Sequence, residues 1–136
     1  MLALERGFFC VMVMLVLFSW STNATSQTPY SSRVEPPFTY VAYQPVLAGN
    51  TVTATGVATT SNNSGANFCT YLYKNGVLVG TYQCGWVGPG STPKTLSYGT
   101  YCNPGYTFTF QTLVRRVDPG YTWHLWSPSL VVTCPR

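Results

Sequence analysis

The stretch FCTYLYKNGVLVGTYQ, residues 68–83, decides the fold. Tyrosine, threonine, leucine and valine lie on both sides of Asn75-Gly76, and most of these residue types favour strands. Asn-Gly between two such runs is the strongest short signal for a β-hairpin, because a type I′ turn needs positive φ at both central positions. The stretch therefore predicts two antiparallel strands, Phe68–Lys74 and Val77–Gln83.

Short β-prone runs separated by turn residues continue on both sides of this hairpin, and none has helical periodicity. Thr51–Thr60 alternates threonine with small apolar residues, so that one face carries Val52, Ala54, Gly56 and Ala58. The remaining predicted strands are Thr39–Gln44, Lys94–Tyr98, Tyr106–Arg116, and a last strand over Tyr121–Trp126 and Ser129–Thr133 that Pro128 breaks. About seven strands in roughly 100 residues predict a single all-β sandwich, with a small barrel as the alternative.

The N-terminal segment has the layout of a secretory leader. An apolar run, Phe8–Phe18, follows Arg6 and precedes small and polar residues. This predicts a signal peptide over residues 1–26, cleaved after Ala24 or Ser26. The run is shorter than the roughly 20 apolar residues that a membrane span needs, and we expect no span in the mature chain. The expected location is secreted or extracellular, which includes the periplasm and the cell surface.

Residues 27–37 differ from the rest of the mature chain. They show no periodicity and end in the stiff pair Pro36-Pro37. We therefore expect a flexible N-terminal arm over 27–37, followed by the sandwich domain over 38–136.

Charged residues are scarce, at 7% of the chain with a net charge of +4. The only basic doublet is Arg115-Arg116, which is not the clustered footprint of nucleic-acid binding. After residue 26 the only acids are Glu35 and Asp118, a poor basis for the paired carboxylates of a glycosidase. The single His124 and the lack of any Cys-x-x-Cys spacing argue against zinc. The sequence thus predicts no enzyme, no catalytic residues, no metal and no cofactor.

The order of residues in 94–134 resembles the second half of a fibronectin type III or related immunoglobulin-like domain. The matching segments are Pro104–Phe108 and Trp126–Thr133. The resemblance implies a binding or spacing role without catalytic residues, and it implies that Tyr106 is a buried tyrosine corner with its hydroxyl bonded to nearby backbone. Trp123–Ser127 is also similar to the Trp-Ser-x-Trp-Ser box of cytokine-receptor modules, although His124 stands where that family has serine.

Removal of the leader removes Cys10 and leaves Cys69, Cys84, Cys102 and Cys134. Four cysteines allow three pairings, among which the sequence alone does not choose. Disulfide partners need neighbouring Cα atoms, and the immunoglobulin-like topology places these cysteines two at each pole of the sandwich. That topology implies the pairs Cys69–Cys84 and Cys102–Cys134.

The first of these pairs requires an irregular hairpin. A two-residue turn at Asn75-Gly76 leaves Cys84 two residues out of register with Cys69. We therefore expect a bend in the second strand, for which Gly85 is the candidate.

After residue 26 the sequence holds 3 Trp, 10 Tyr and 4 Phe, more rings than a core of this size easily buries. Exposed rings with few charges suit a protein interface or the faces of sugars. The candidate ligand-binding residues are Trp86, Tyr121, Trp123, Trp126, Arg115 and Arg116. Trp86 is expected to point outward from a glycine-rich loop over 85–93. The alternative for the others is that Trp123 and Trp126 pack on the two arginines as cation–π pairs.

These observations predict a secreted, non-enzymatic binding or adhesion module that recognises a protein, ahead of a carbohydrate. The alternatives are a structural or surface-layer component that binds to itself, and a small secreted effector or inhibitor. Nucleic acid is not expected as a partner. Asn62-Asn63-Ser64 is an N-glycosylation sequon in a predicted polar loop, which makes Asn62 a candidate for modification.

Overall fold

The structure, a computed structural model, describes residues 27–136, so the predicted signal peptide lies outside the described residues. Within this range the regular structure is entirely β. The strands are β1 Tyr30–Glu35, β2 Phe38–Ala48, β3 Thr51–Thr60, β4 Ala66–Lys74, β5 Val77–Leu78, β6 Gln83–Val87, β7 Lys94–Tyr101, β8 Thr107–Arg116, β9 Leu125–Trp126 and β10 Leu130–Thr133.

The strands form two antiparallel sheets that pack face to face. One sheet has the order β1-β2-β3-β7, and the other has the order β10-β8-β4-β5, with β6 also paired to β4 and β9 to β8. Consecutive strands repeatedly change sheet, as in immunoglobulin-like domains. The predicted all-β, immunoglobulin-like sandwich is confirmed.

The core lies between the sheets and follows the predicted alternation. β3 buries Val52, Ala54, Gly56 and Ala58 and turns its threonines outward. Gly56 is required by packing, because a Cβ at this position would collide with Thr70 and Val114 of the facing sheet. The largest fully buried side chains of the core are Tyr40, Phe68, Phe110 and Leu72.

The hairpin is present, with φ values of 50° at Asn75 and 79° at Gly76. Next to the turn, Tyr73 pairs with Leu78, but farther along Thr70 pairs with Gln83, so the returning chain has gained two residues. The bend that we expected at Gly85 lies instead before β6, where Gly80 has a φ of 58°. It brings Cys84 directly opposite Cys69.

Two disulfides join the pairs that the topology implied. Cys69 and Cys84 have Cα atoms 4.0 Å apart, and those of Cys102 and Cys134 are 5.4 Å apart. The second disulfide ties the end of β10 to the link between β7 and β8 at one pole, where the Cys102 amide also donates to the Asn50 carbonyl at 2.6 Å.

The predicted flexible arm is wrong for residues 30–35, which form the edge strand β1. Each residue of β1 pairs in register with β2 across the Pro36-Pro37 turn, from Glu35 opposite Phe38 to Tyr30 opposite Tyr43. An edge strand pairs on one side only, so its sequence need not show the alternation of a central strand.

Two further expectations in the C-terminal half are wrong. Tyr106 precedes the first residue of β8, is 64% exposed and stacks on Phe108, so it is not a buried corner. In the predicted last strand, only Leu125–Trp126 and Leu130–Thr133 pair, and they lie against different parts of β8. The segment before Leu125 instead packs across the end of the core, through Trp123.

Candidate functional site

The outer face of the six-stranded sheet carries a group of aromatic side chains. β4 buries Ala66, Phe68 and Leu72, so Tyr71 and Tyr73 lie on its outer face by alternation. The Tyr71 ring lies 4.7 Å from that of Tyr82, and the Tyr73 ring lies 4.8 Å from that of Trp126. Two ring pairs thus extend across three strands, β4, β8 and β9, and the loop before β6.

Leu113 of β8 lies between these two ring pairs. It pairs in register with Tyr71 on one side and with Trp126 on the other, and it is only 2% exposed although it belongs to neither inner core cluster. The rings therefore have an apolar residue beneath them. We call Tyr71, Tyr73, Tyr82, Leu113 and Trp126 the outer patch.

Arg115 is the arginine beside the outer patch. It lies opposite Cys69 in the register of β4 and β8, next to Leu113 on the same face. Its Nε is buried and has no hydrogen-bond partner among residues 27–136. Burial raises the pKa of the Tyr71 hydroxyl, and the positive charge of Arg115 partly offsets that rise.

Trp86 lies farther along the same face, beyond the Cys69–Cys84 disulfide. It is part of β6 rather than of a loop, and it pairs with Asn67. The indole is 47% exposed, yet its ring lies against Gly65 and Gly88, where any Cβ would collide with it. Its orientation is therefore fixed by two glycines, and one side of it remains open to solvent.

Arg116 points to the other side of β8, as alternation requires, and is engaged in an ion-pair cluster. Its Nη1 donates to Glu35 Oε1 at 3.1 Å, and its Nε donates to Asp118 Oδ2 at 2.7 Å. Its guanidinium lies 3.7 Å from the centre of the Tyr121 ring. Burial acts to lower the pKa of Arg116, but the two carboxylates outweigh it and keep the pKa raised.

Asp118 is held from two directions in this Arg116 cluster. Besides Arg116, both the backbone amide and the side-chain amide of Asn67 donate to it, at 3.0 and 2.9 Å. Burial alone would raise the pKa of Asp118, but these hydrogen bonds and the arginine hold it below its usual range. Glu35 belongs to β1, so the cluster also fixes the edge strand to the body of the domain.

Trp123 packs inward rather than outward. The centre of its ring lies 4.9 Å from that of the buried Tyr40. The guanidinium of Arg33, in β1, lies 4.7 Å from the centre of the Trp123 ring. Burial raises the pKa of Tyr40 to about 12, with Arg116 partly opposing the rise. The cation–π contacts are thus real, but their partners differ from those expected: Arg33 with Trp123, and Arg116 with Tyr121.

The six candidate ligand-binding residues therefore separate into two groups. Trp86, Trp126 and Arg115 share the outer face of the six-stranded sheet, whereas Tyr121, Trp123 and Arg116 support the end of the core. Tyr71, Tyr73 and Tyr82 were not among the residues predicted from the sequence. The spacing of Tyr71 and Tyr73 at i and i+2 in a strand was an available signal for the first two.

The outer face of the four-stranded sheet has a different chemistry. Its outward positions are threonine, serine, tyrosine, valine, alanine and glycine, and none of those positions in β1, β2, β3 and β7 is charged. Thr55 and Ser97 share a hydrogen bond of 3.1 Å there, and Tyr101 is exposed at one end. We call this surface the threonine face.

A cleft of about 260 Å³ opens between the Pro36-Pro37 turn and the end of β3. Its walls are formed by Val34, residues 36–39 and residues 59–61, none of which is charged. The cleft was not predicted from the sequence, because its walls come from two segments about twenty residues apart.

The described residues offer no metal centre: none of their His, Cys, Asp and Glu side chains gather in groups of three or more. His124 is exposed, with its ring 6.4 Å from that of Trp126. Between residues 27 and 136 there is no helix that is long and apolar enough to cross a membrane.

Comparison with known proteins adds one structural likeness. The chain is similar to a chain in the crystal structure of the complex between zinc 2-glycoprotein and prolactin-inducible protein from human seminal plasma. The two share 16% identity with a TM-score of 0.46, over 82% of this chain and 98% of that one. No family model matches the sequence, and no curated protein matches it.

Proposed function

We propose that this chain is an exported, non-enzymatic binding module that recognises a protein through the outer patch and Arg115. The observation that carries the proposal is the group of exposed rings on a central, disulfide-bonded part of the six-stranded sheet. Tyr82 and Trp126 are 49% and 38% exposed, although each contacts another ring. The two disulfides and the predicted leader support export.

The composition of the patch suits a protein contact. Tyrosine, tryptophan and arginine dominate the binding energy of protein interfaces, because they bury large areas with few rotatable bonds. Here the rings already pack on each other and over Leu113, so little conformational freedom remains to be lost on binding.

The ring geometry favours a protein over an extended sugar chain. The planes of Tyr71 and Tyr82 are inclined by 35°, and those of Tyr73 and Trp126 by 74°. Rings at such angles do not form one flat platform for successive sugar units, but they do leave edges and faces that side chains of a partner can fill.

The acidic side chains argue for binding rather than catalysis. Glu35 and Asp118, the acids of residues 27–136, both bond to Arg116 in the cluster at the end of the core. Arg116 and Asn67 hold the pKa of Asp118 below its usual range, which makes this carboxylate a weak proton acceptor. Within the immunoglobulin-like class, we propose a fibronectin type III-like arrangement, which the order β2-β3-β7 facing β10-β8-β4-β6 supports.

The test is a binding screen with matched variants. The chain, collected from the culture medium, is screened against an array of extracellular protein domains and against a glycan array. We expect a protein hit whose affinity falls at least tenfold, or about 1.4 kcal/mol, in Trp126→Ala. Tyr101→Ala, which removes an exposed ring from the threonine face, serves as the control and should bind normally. Equal losses in both variants would refute the assignment.

Self-association is the second candidate, and the threonine face favours it. Two copies of an uncharged face can meet without like-charge repulsion, although the chain carries a net charge of +4. Sedimentation velocity at several concentrations separates the candidates. Oligomers that Tyr101→Ala disrupts, together with no hit in the binding screen, would replace the first proposal by this one.

A further inference from the structure

We propose that Asn62 is an acceptor site for an N-linked glycan. The sequon Asn62-Asn63-Ser64 lies in the loop between β3 and β4, and the structure places all three residues at the surface as exposed side chains. A sequon buried in a strand could not hold a glycan in the folded protein. This one projects from the end of the sandwich, where a bulky polar group displaces no packing.

The local hydrogen bonds leave the reacting atom available. The Ser64 backbone amide donates to the Asn62 carboxamide oxygen at 2.7 Å. The backbone amide of Asn62 donates to Thr60 Oγ1 at 3.4 Å. Neither Asn62 Nδ2 nor the Ser64 hydroxyl has a hydrogen-bond partner among residues 27–136. The loop is thus held by its backbone and by the carboxamide oxygen, neither of which a sugar on Nδ2 would replace.

The chemistry requires a host transferase and a lipid-diphosphate-linked oligosaccharide. A bond forms between Asn62 Nδ2 and C1 of the first sugar while the bond from C1 to the diphosphate oxygen breaks. The lipid diphosphate leaves with that electron pair, and the nitrogen gives up one proton to a base of the transferase. The reaction needs export into the compartment that holds the donor, which is the same export that the proposed function requires.

The position of the glycan would leave the outer patch accessible. Asn62 lies at the pole that carries the β3–β4 loop, and Gly65 of this loop contacts Trp86 rather than the tyrosines of the patch. Of the aromatic residues on the outer face of the six-stranded sheet, Trp86 is therefore the one next to the loop that would carry the glycan. Modification and partner binding are separate claims, and each can fail without the other.

The experiment produces the full chain in cultured insect cells and analyses the protein from the medium. Intact mass is measured before and after peptide-N-glycosidase treatment, and peptide sequencing identifies the released site, which is converted from Asn to Asp. We expect the mass to fall by that of one glycan, with the conversion at Asn62. Secreted protein whose mass does not change on treatment would overturn the proposal.

Matched variants assign the site. N62Q and S64A should both lose the glycan completely, and S64A does so with Asn62 intact. N63Q changes the adjacent amide, preserves the sequon and should keep the glycan. N23Q removes the second sequon, Asn23-Ala24-Thr25, which lies in the predicted leader, and it should also keep the glycan. A glycan that persists in N62Q and disappears in N23Q would overturn the assignment.

Discussion

Arg115 and Arg116 provide the sharpest test of how the structure divides its candidate residues. They are consecutive and chemically identical, yet the pleat of β8 sends Arg115 to the outer patch and Arg116 to the ion-pair cluster. Arg115→Met and Arg116→Met remove the same charge and leave a side chain of similar length. We expect the first to weaken partner binding and the second to weaken the fold.

The size of the second effect follows from the contacts of Arg116. Its side chain is only 12% exposed, and it bonds Glu35 at 3.1 Å and Asp118 at 2.7 Å. Breaking a fully buried ion pair costs about 3–5 kcal/mol. Because the two carboxylates are 25% and 22% exposed, water recovers part of their solvation after the arginine is gone. We therefore expect Arg116→Met to lower the free energy of unfolding by about 3 kcal/mol.

Urea unfolding followed by tryptophan fluorescence measures this free energy. Arg115→Met should change it by less than about 0.5 kcal/mol, because Arg115 Nε has no hydrogen-bond partner among residues 27–136 and the side chain forms no ion pair there. Arg116→Lys keeps the charge but cannot bond both carboxylates with the planar fork of a guanidinium. Its free energy of unfolding should lie between those of the wild type and Arg116→Met. A loss below about 1 kcal/mol in Arg116→Met, or equal losses in both methionine variants, would show that Arg116 does not stabilise the fold through its two ion pairs.

Three further predictions concern stability. The pKa of Asp118 is lowered in the fold, so its contribution to stability is present above its unfolded pKa and is lost as the pH falls through the lower folded value. In Asp118→Asn, the urea midpoint should therefore depend less on pH between about pH 6 and about pH 2 than it does in the wild type. Gly56→Ala should cost about 1–3 kcal/mol by overpacking, whereas Gly90→Ala, with open space around it, should be nearly neutral in the same assay. Replacing Cys102 and Cys134 by alanine should cost about 4 kcal/mol for a closed segment of 32 residues, and an unchanged midpoint would contradict this.

The parts of the fold that depend on local pattern were predictable. The alternation in β3, the turn at Asn75-Gly76 and the strand phase of β8 each follow from a few neighbouring residues, and all three are present. The disulfide pairs could be predicted only after a topology had been assigned, because the order of the strands determines which cysteines lie at the same pole. The bend that aligns Cys84 with Cys69 was predicted from the number of residues between each cysteine and the turn. Its position at Gly80 was not predicted.

The parts that depend on distant partners were not predictable. Besides its pairing with β2, β1 is fixed by Glu35, whose partner Arg116 is 81 residues away, and no local pattern predicts such a contact. Alternation would have separated Arg115 from Arg116, since both lie in one strand. It could not have separated Trp123 from Trp126, because Trp123 precedes the first residue of β9 and follows no strand phase.

Hydroxyl-radical footprinting of the chain with its protein partner, as identified in the binding screen, shows directly whether the outer patch is the binding surface. Oxidation of each ring is measured by mass spectrometry in the free chain and in the complex. We predict that Tyr82 and Trp126 of the outer patch become protected, while Tyr30 and Tyr101 of the threonine face react as in the free chain. Protection of Tyr30 and Tyr101 with unchanged oxidation of Tyr82 and Trp126 would contradict it.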